Sequence, residues 1–81
     1  MGYHKRTIKK GSYGYFSKVQ EEWDELQDAL EQEDRILELV ELTDLIGAIE
    51  GYTLKKFNIN LDDLVKFAKK TQSAFESGER S

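Results

Sequence analysis

Cysteine and proline are both absent from this 81-residue chain, and histidine, methionine and tryptophan occur once each. Without cysteine there are no disulfides, no thiolate metal sites and no cysteine nucleophile, so a small scaffold has no redox staple and a reducing cytoplasm is its natural setting. A single histidine, His4, excludes the paired E-x-x-H ligands of a carboxylate-bridged di-iron bundle and reads as a solvated residue of the N-terminal arm. No apolar run approaches the 18 or so residues of a membrane span, and the N-terminus lacks the apolar core of a signal peptide, so a soluble protein retained in the cell is expected. Basic residues are scarce in the middle of the chain, where Arg35 is the only one between Glu21 and Asp44. At this length the chain forms one domain that buries only about 60% of its unfolded surface. Its core is marginal for a monomer, and association is expected.

The net charge of -4 conceals a strong asymmetry. Residues 1–20 carry five bases (Lys5, Arg6, Lys9, Lys10, Lys18) and no acid. Residues 21–44 carry eleven acids against Arg35, and residues 45–81 carry six bases against five acids. A cation-seeking segment flanked by basic ones suits a phosphate ligand bridged to the acids by metal, although a basic tail before an acidic helix is also compatible with simple solvation. Five bases with no nucleic-acid reading motif are poor evidence for DNA or RNA binding.

Residues 1–14 read as a basic arm and glycine loop, punctuated by Gly11 and Gly14. A first helix is expected over 16–33, with Phe16, Val19, Trp23, Leu26 and Leu30 in 3, 4, 3, 4 spacing. Trp23, Phe16 and Phe75 are candidate core residues. Asp34 is placed to cap a second helix over 35–57, whose apolar residues cover most of its circumference and mark it as central in a bundle. Gly47 and Gly51, four apart, allow close approach of a neighbouring helix. Asn60 is placed to cap a third helix over 61–77, with Asp62 and Asp63 in its first turn. Three helices with no strand signal and no repeat predict an all-α bundle, with the uncovered face of the second helix completed by a homodimer or a larger assembly such as a homotetramer.

Four acids stand where a folding argument would put apolar residues: Glu22 and Glu25 in E-E-W-D-E, and Glu41 and Asp44 in E-L-T-D. Each pair is spaced i, i+3 and so shares one side of its helix. At about 100° per residue, Leu37, Leu45, Ala48 and Tyr52 all project within roughly 60° of Glu41, so carboxylates are embedded in a core stripe. Burying an ionised carboxylate costs several kcal/mol unless something compensates it, and a hard divalent cation with oxygen ligands is the simplest compensator.

The two acidic motifs, with the K-G-S-Y-G-Y-F-S-K stretch before them and A-F-E-S-G-E-R near the end, resemble the MazG-like nucleoside triphosphate pyrophosphohydrolases. The resemblance is to the short single-domain members of bacteria and their phages, and runs from Lys10 to Arg80. It implies hydrolysis of a (deoxy)nucleoside triphosphate to the monophosphate and pyrophosphate with magnesium, for which manganese is a possible substitute. Glu22 and Glu25 match the last two acids of E-E-x-x-E, and Glu41 and Asp44 match E-x-x-D; these would be the metal ligands, with the catalytic role. Glu21 and Glu38 are spare acids that could orient the attacking water or support the ligands. Lys66, Lys69 and Lys70 on the third helix are candidates for the leaving pyrophosphate, with a solvated outer face as the plain alternative. Lys55, in line with Asp44 down the second helix, and Arg80 in the matching tail are candidate phosphate contacts. Lys10, Ser17 and Lys18 around the glycine loop are candidates for the nucleotide pocket, which lacks Walker-type spacing. Tyr13, Tyr15 and Tyr52 are candidates for stacking on a base, with Tyr52 favoured. A non-catalytic nucleotide-sensing module and a helical interaction module remain as alternatives.

Overall fold

A computed structural model of the chain describes residues 6–78. It is all-helical, with α1 (Phe16–Glu31), α2 (Arg35–Phe57) and α3 (Leu61–Ser77), and no strand among the described residues. Arg80 and His4 lie outside the described residues. The first helix ends two residues before the expected Glu33, because Glu33 adopts a left-handed φ of 57° that turns the chain. Asp34 then caps α2 as expected, its Oδ1 accepting from the Leu37 N–H at 3.0 Å. Asn58, also left-handed at φ 57°, closes α2, and Asn60 Oδ1 caps α3 by accepting from the Asp63 N–H at 2.9 Å.

The short turn makes α1 and α2 an antiparallel hairpin, with Phe16 and Tyr52 edge to face at its open end, ring centroids 5.6 Å apart. Its apolar core is small: Leu26 and Ala29 from α1 against Leu37 and Ala48 from α2. On α2 the buried face is the one on which Glu41 was expected, since Leu37, Glu41 and Ala48 are all buried. On α1 it is not the expected stripe. Phe16 and Trp23 are 53% and 52% exposed and Leu30 is also exposed, whereas Glu21, Glu22, Asp28 and Ala29 are buried. Helix α1 is thus rotated by roughly a quarter turn from the orientation its apolar stripe suggests, and it turns acidic residues toward α2. The expected core roles of Phe16, Trp23 and Phe75 do not hold within this chain, Phe75 being 53% exposed as well.

The basic segment before α1 is a strap rather than a free tail. Arg6 pairs with Glu31 and approaches Asp28 (Nε to Oδ1, 3.7 Å) at the far end of α1. The chain then returns along the helix, and five residues on the Gly11 N–H donates to Glu21 Oε1 at 2.8 Å near its start. A Cβ on Gly11 would sit 2.2 Å from the Ser17 carbonyl oxygen, so this contact needs glycine. The strap ends with Tyr13 lying over Gly51; a Cβ there would be 2.6 Å from the ring. Gly51 is therefore bare to admit an aromatic ring from the strap, not a neighbouring helix, and Gly47 faces open space.

Helix α3 is joined to α2 by polar clasps. The Leu61 N–H donates to Glu50 Oε2 at 3.1 Å, and the Thr53 hydroxyl donates to the Ile59 carbonyl at 3.0 Å. None of its described residues is buried. Its apolar stripe, including Val65 and Phe75, and the outer face of α2, including Ile36, Leu39 and Ile46, are exposed.

The two glycines yield opposite predictions. Gly11→Ala forces the strap off α1 and should cost on the order of 2 kcal/mol. Gly47→Ala adds helix propensity in open space and should gain about 1 kcal/mol, raising Tm by roughly 4–8 °C. Thermal melts of the two variants against the parent chain check both signs.

Candidate metal centre

The turn between α1 and α2 sets the register that brings the acidic pairs together. One carboxylate oxygen from each of Glu22, Glu25, Glu41 and Asp44 lies within 4.8 Å of the others. Glu22 and Glu41 are each 4% exposed, Glu25 is half-buried and Asp44 is exposed, so the cluster is deep on one side and open on the other. The opening is a cleft of about 460 Å³ lined by Tyr13, Lys18, Glu21, Glu22, Glu25, Thr43, Asp44, Gly47 and Ala48.

Lys18 reaches into this cleft from the first turn of α1. Its ammonium is 3.2 Å from Glu21 Oε1 and 3.2 Å from Glu22 Oε2. Burial disfavours its charge, but the hydrogen bonds to Glu21 and Glu22 outweigh that and raise its pKa. Glu21 and Glu22 diverge although adjacent. Burial pushes Glu21 up, yet the Gly11 N–H and Lys18 together hold it below the usual carboxylate range. For Glu22 burial dominates, and the neighbouring Glu25 adds to it, so Lys18 does not prevent an upward shift. Glu21 is a clasp for the strap, and Glu22 belongs to the crowded cluster.

The other expected site residues are placed as follows. Glu21 borders the cleft but spends its oxygens on Gly11, Lys18 and, at 3.6 Å, Lys10. Glu38 lines a separate groove beside the α1–α2 turn with Arg35, Leu39 and Leu42, and does not line the cleft. Lys10 is largely exposed, and Lys10 and Ser17 line a second recess with Trp23 on the other side of Glu21. The Ser17 hydroxyl oxygen accepts from the Ser12 N–H at 3.1 Å and so serves the loop. Tyr52 packs on Phe16, and its hydroxyl accepts from Lys56; it does not line the cleft. Tyr13 does, alone of the three tyrosines. Lys55 sits over the Tyr15 ring, 4.8 Å from its centroid, and Lys66, Lys69 and Lys70 lie exposed on α3; none of them lines the cleft.

Asp28 escaped the sequence reading. It is 2% exposed on α1, accepts from Gln32 Nε2 at 2.9 Å and lies beside Arg6. Its spacing three residues after Glu25 puts it one turn further along the same helix; the signal available was its place in that series, and its partner Arg6 is too distant in sequence to be read locally.

Compared with known proteins, the chain matches no family model, no curated protein and no solved structure.

The raised pKa of Glu22 gives a pH prediction. The folded chain keeps the Glu22 proton to higher pH than the unfolded chain, so this residue's destabilising effect is present at neutral pH and fades as pH falls through the window between the raised value and the ordinary one. In the absence of metal, Glu22→Gln should melt above wild type at neutral pH, and the gap should close as acid is added through that window. Parallel melts across a pH series measure it.

Proposed function

We propose that the chain is a magnesium-dependent nucleoside triphosphate pyrophosphohydrolase. One observation carries the reading: four carboxylates from two helices converge in an open cleft. At about 4.8 Å and an effective dielectric near 20, each pair of like charges repels by about 3 kcal/mol before solvent and protons relieve it. A purely structural seam has no need of that cost.

The residues fit the ion. The donors are all hard carboxylate oxygens, and oxygens on opposite sides of one magnesium lie about 4.2 Å apart. A spread of up to 4.8 Å accepts one ion with small side-chain adjustments, or two ions sharing ligands. Glu22, Glu25, Glu41 and Asp44 would hold it, with Asp44 and Glu25 on the open side where a triphosphate approaches. Magnesium supplies charge neutralisation for the phosphate oxygens and a more acidic bound water. Lys18 and Tyr13 then border the ligand, one offering positive charge and the other a ring face. The basic residues of α3 and Lys55 do not reach this cleft within one chain; a role for them requires a second copy.

A second copy is supported by the surface. The apolar faces of α3 and outer α2 are uncovered, and exposed apolar faces favour association. We therefore include a homodimer or higher homo-oligomer in the proposal, and light scattering at micromolar concentration should return a mass of at least twice 9.4 kDa. A mass of one chain removes this part.

The activity is tested by incubating the chain with each of the eight common nucleoside triphosphates and magnesium. Pyrophosphate and the monophosphate are expected, because attack at the α-phosphorus gives that pair; sustained orthophosphate without pyrophosphate contradicts the reading. Glu41→Gln keeps the shape and removes one charge. It should raise Tm without metal, lose that advantage with magnesium, and lower turnover on the order of a hundredfold or more. Glu76→Gln, exposed on α3, is the control and should change neither.

A further inference from the structure

Lys18 is the one cation that lines the acidic cleft among the described residues. It stands four residues before Glu22 and three before Glu21 on α1, with its ammonium 3.2 Å from each carboxylate. The two partners differ in what they would lose if it left. Glu21 would keep the Gly11 N–H at 2.8 Å and Lys10 at 3.6 Å. Glu22, 4% exposed and crowded by Glu25, would be left with a neighbour of its own sign. Lys18 itself is 30% exposed and sits on a flexible four-carbon stem, so its head group has room to swing toward the cleft mouth.

Resting on the metal reading above, we propose that Lys18 is a built-in counter-cation: in the metal-free chain its ammonium holds Glu22, a divalent ion must displace it, and Lys18 thereby sets how much magnesium the site requires. The competition is electrostatic. A monocation and a dication cannot share one carboxylate oxygen in a confined cleft without mutual repulsion, and a dication bound by four carboxylates outcompetes an ammonium bound by two. Displacement swings the ammonium from Glu22 toward the cleft mouth, the side from which an anionic ligand would enter. Metal and anion binding are then coupled through one side chain.

The test is calorimetric titration of the full chain with magnesium chloride, without nucleotide, on wild type, Lys18→Met and Lys18→Arg. Lys18→Met should bind the ion about tenfold more tightly, having lost both competitor and repulsion. It should also melt lower than wild type without metal and gain more from added magnesium. Lys18→Arg, which keeps the charge, should stay near wild type. Equal or weaker affinity in a folded Lys18→Met overturns this proposal and leaves the metal site standing; no binding in any of the three proteins overturns the metal reading and the proposal with it. If Lys18→Met does not fold, the wild-type chain decides: the side-chain resonances of Lys18 should shift with magnesium saturation, and a Lys18 unmoved at saturation overturns the proposal.

Discussion

The burial of acidic side chains in the seam between α1 and α2 is the constraint on which the rest of the molecule depends. Leu26, Ala29, Leu37 and Ala48 are the buried hydrophobic residues among those described, and they share that seam with Glu22 and Glu41. Small residues at Ala29 and Ala48 let the helices approach closely, which is also what brings the carboxylates within reach of one another. The approach that seals the core therefore creates the repulsion. Lys18 and the strap offset part of it, and the exposed side of the cluster lets water relieve more.

The strap follows from the same constraint. An acidic helix attracts bases, and the basic run before α1 supplies them at both ends, Arg6 at Glu31 and Lys10 at Glu21, with Lys18 of α1 itself joining at Glu21. Of these pairs, Arg6 with Glu31 is exposed and worth little. The backbone bond from Gly11 to buried Glu21 is the contact that water cannot easily replace, and it fixes the register that lays Tyr13 across Gly51. Local charge in the sequence thus becomes long-range position in the fold.

Much of this was legible before any coordinates. The caps at Asp34 and Asn60 mark helix ends through local chemistry, and local chemistry survives folding. Glu41 within an apolar stripe was legible for the same reason, because spacing along one helix determines which residues share a face. The rotation of α1 was not. Phe16, Val19, Trp23, Leu26 and Leu30 form a sound amphipathic pattern, and only the competing demand to bring Glu22 and Glu25 against α2 turns that pattern toward the edge, where an apolar groove with Leu45 and Ile49 results. Contacts between residues far apart in sequence, such as Arg6 with Asp28 or Tyr13 with Gly51, carry no local signature. Neither does the failure of α3 to bury its stripe, since a helix pattern states that a face seeks cover and not where the cover is.

The turn at 32–34 also has a kinetic meaning. Three residues link the helices that make the seam, so the hairpin closes a short loop and assembles early, in the manner of helical proteins rich in local contacts. The strap can only follow, because Glu21, Asp28 and Glu31 are not aligned for it until α1 exists. In reverse, the strap leaves before the hairpin opens. A partial opening that peels residues 6–15 away while the hairpin persists would bare Glu21 and one wall of the cleft at a fraction of the cost of unfolding. Amide hydrogens on the strap and on the seam would then belong to two separate cooperative units within a chain of only 81 residues.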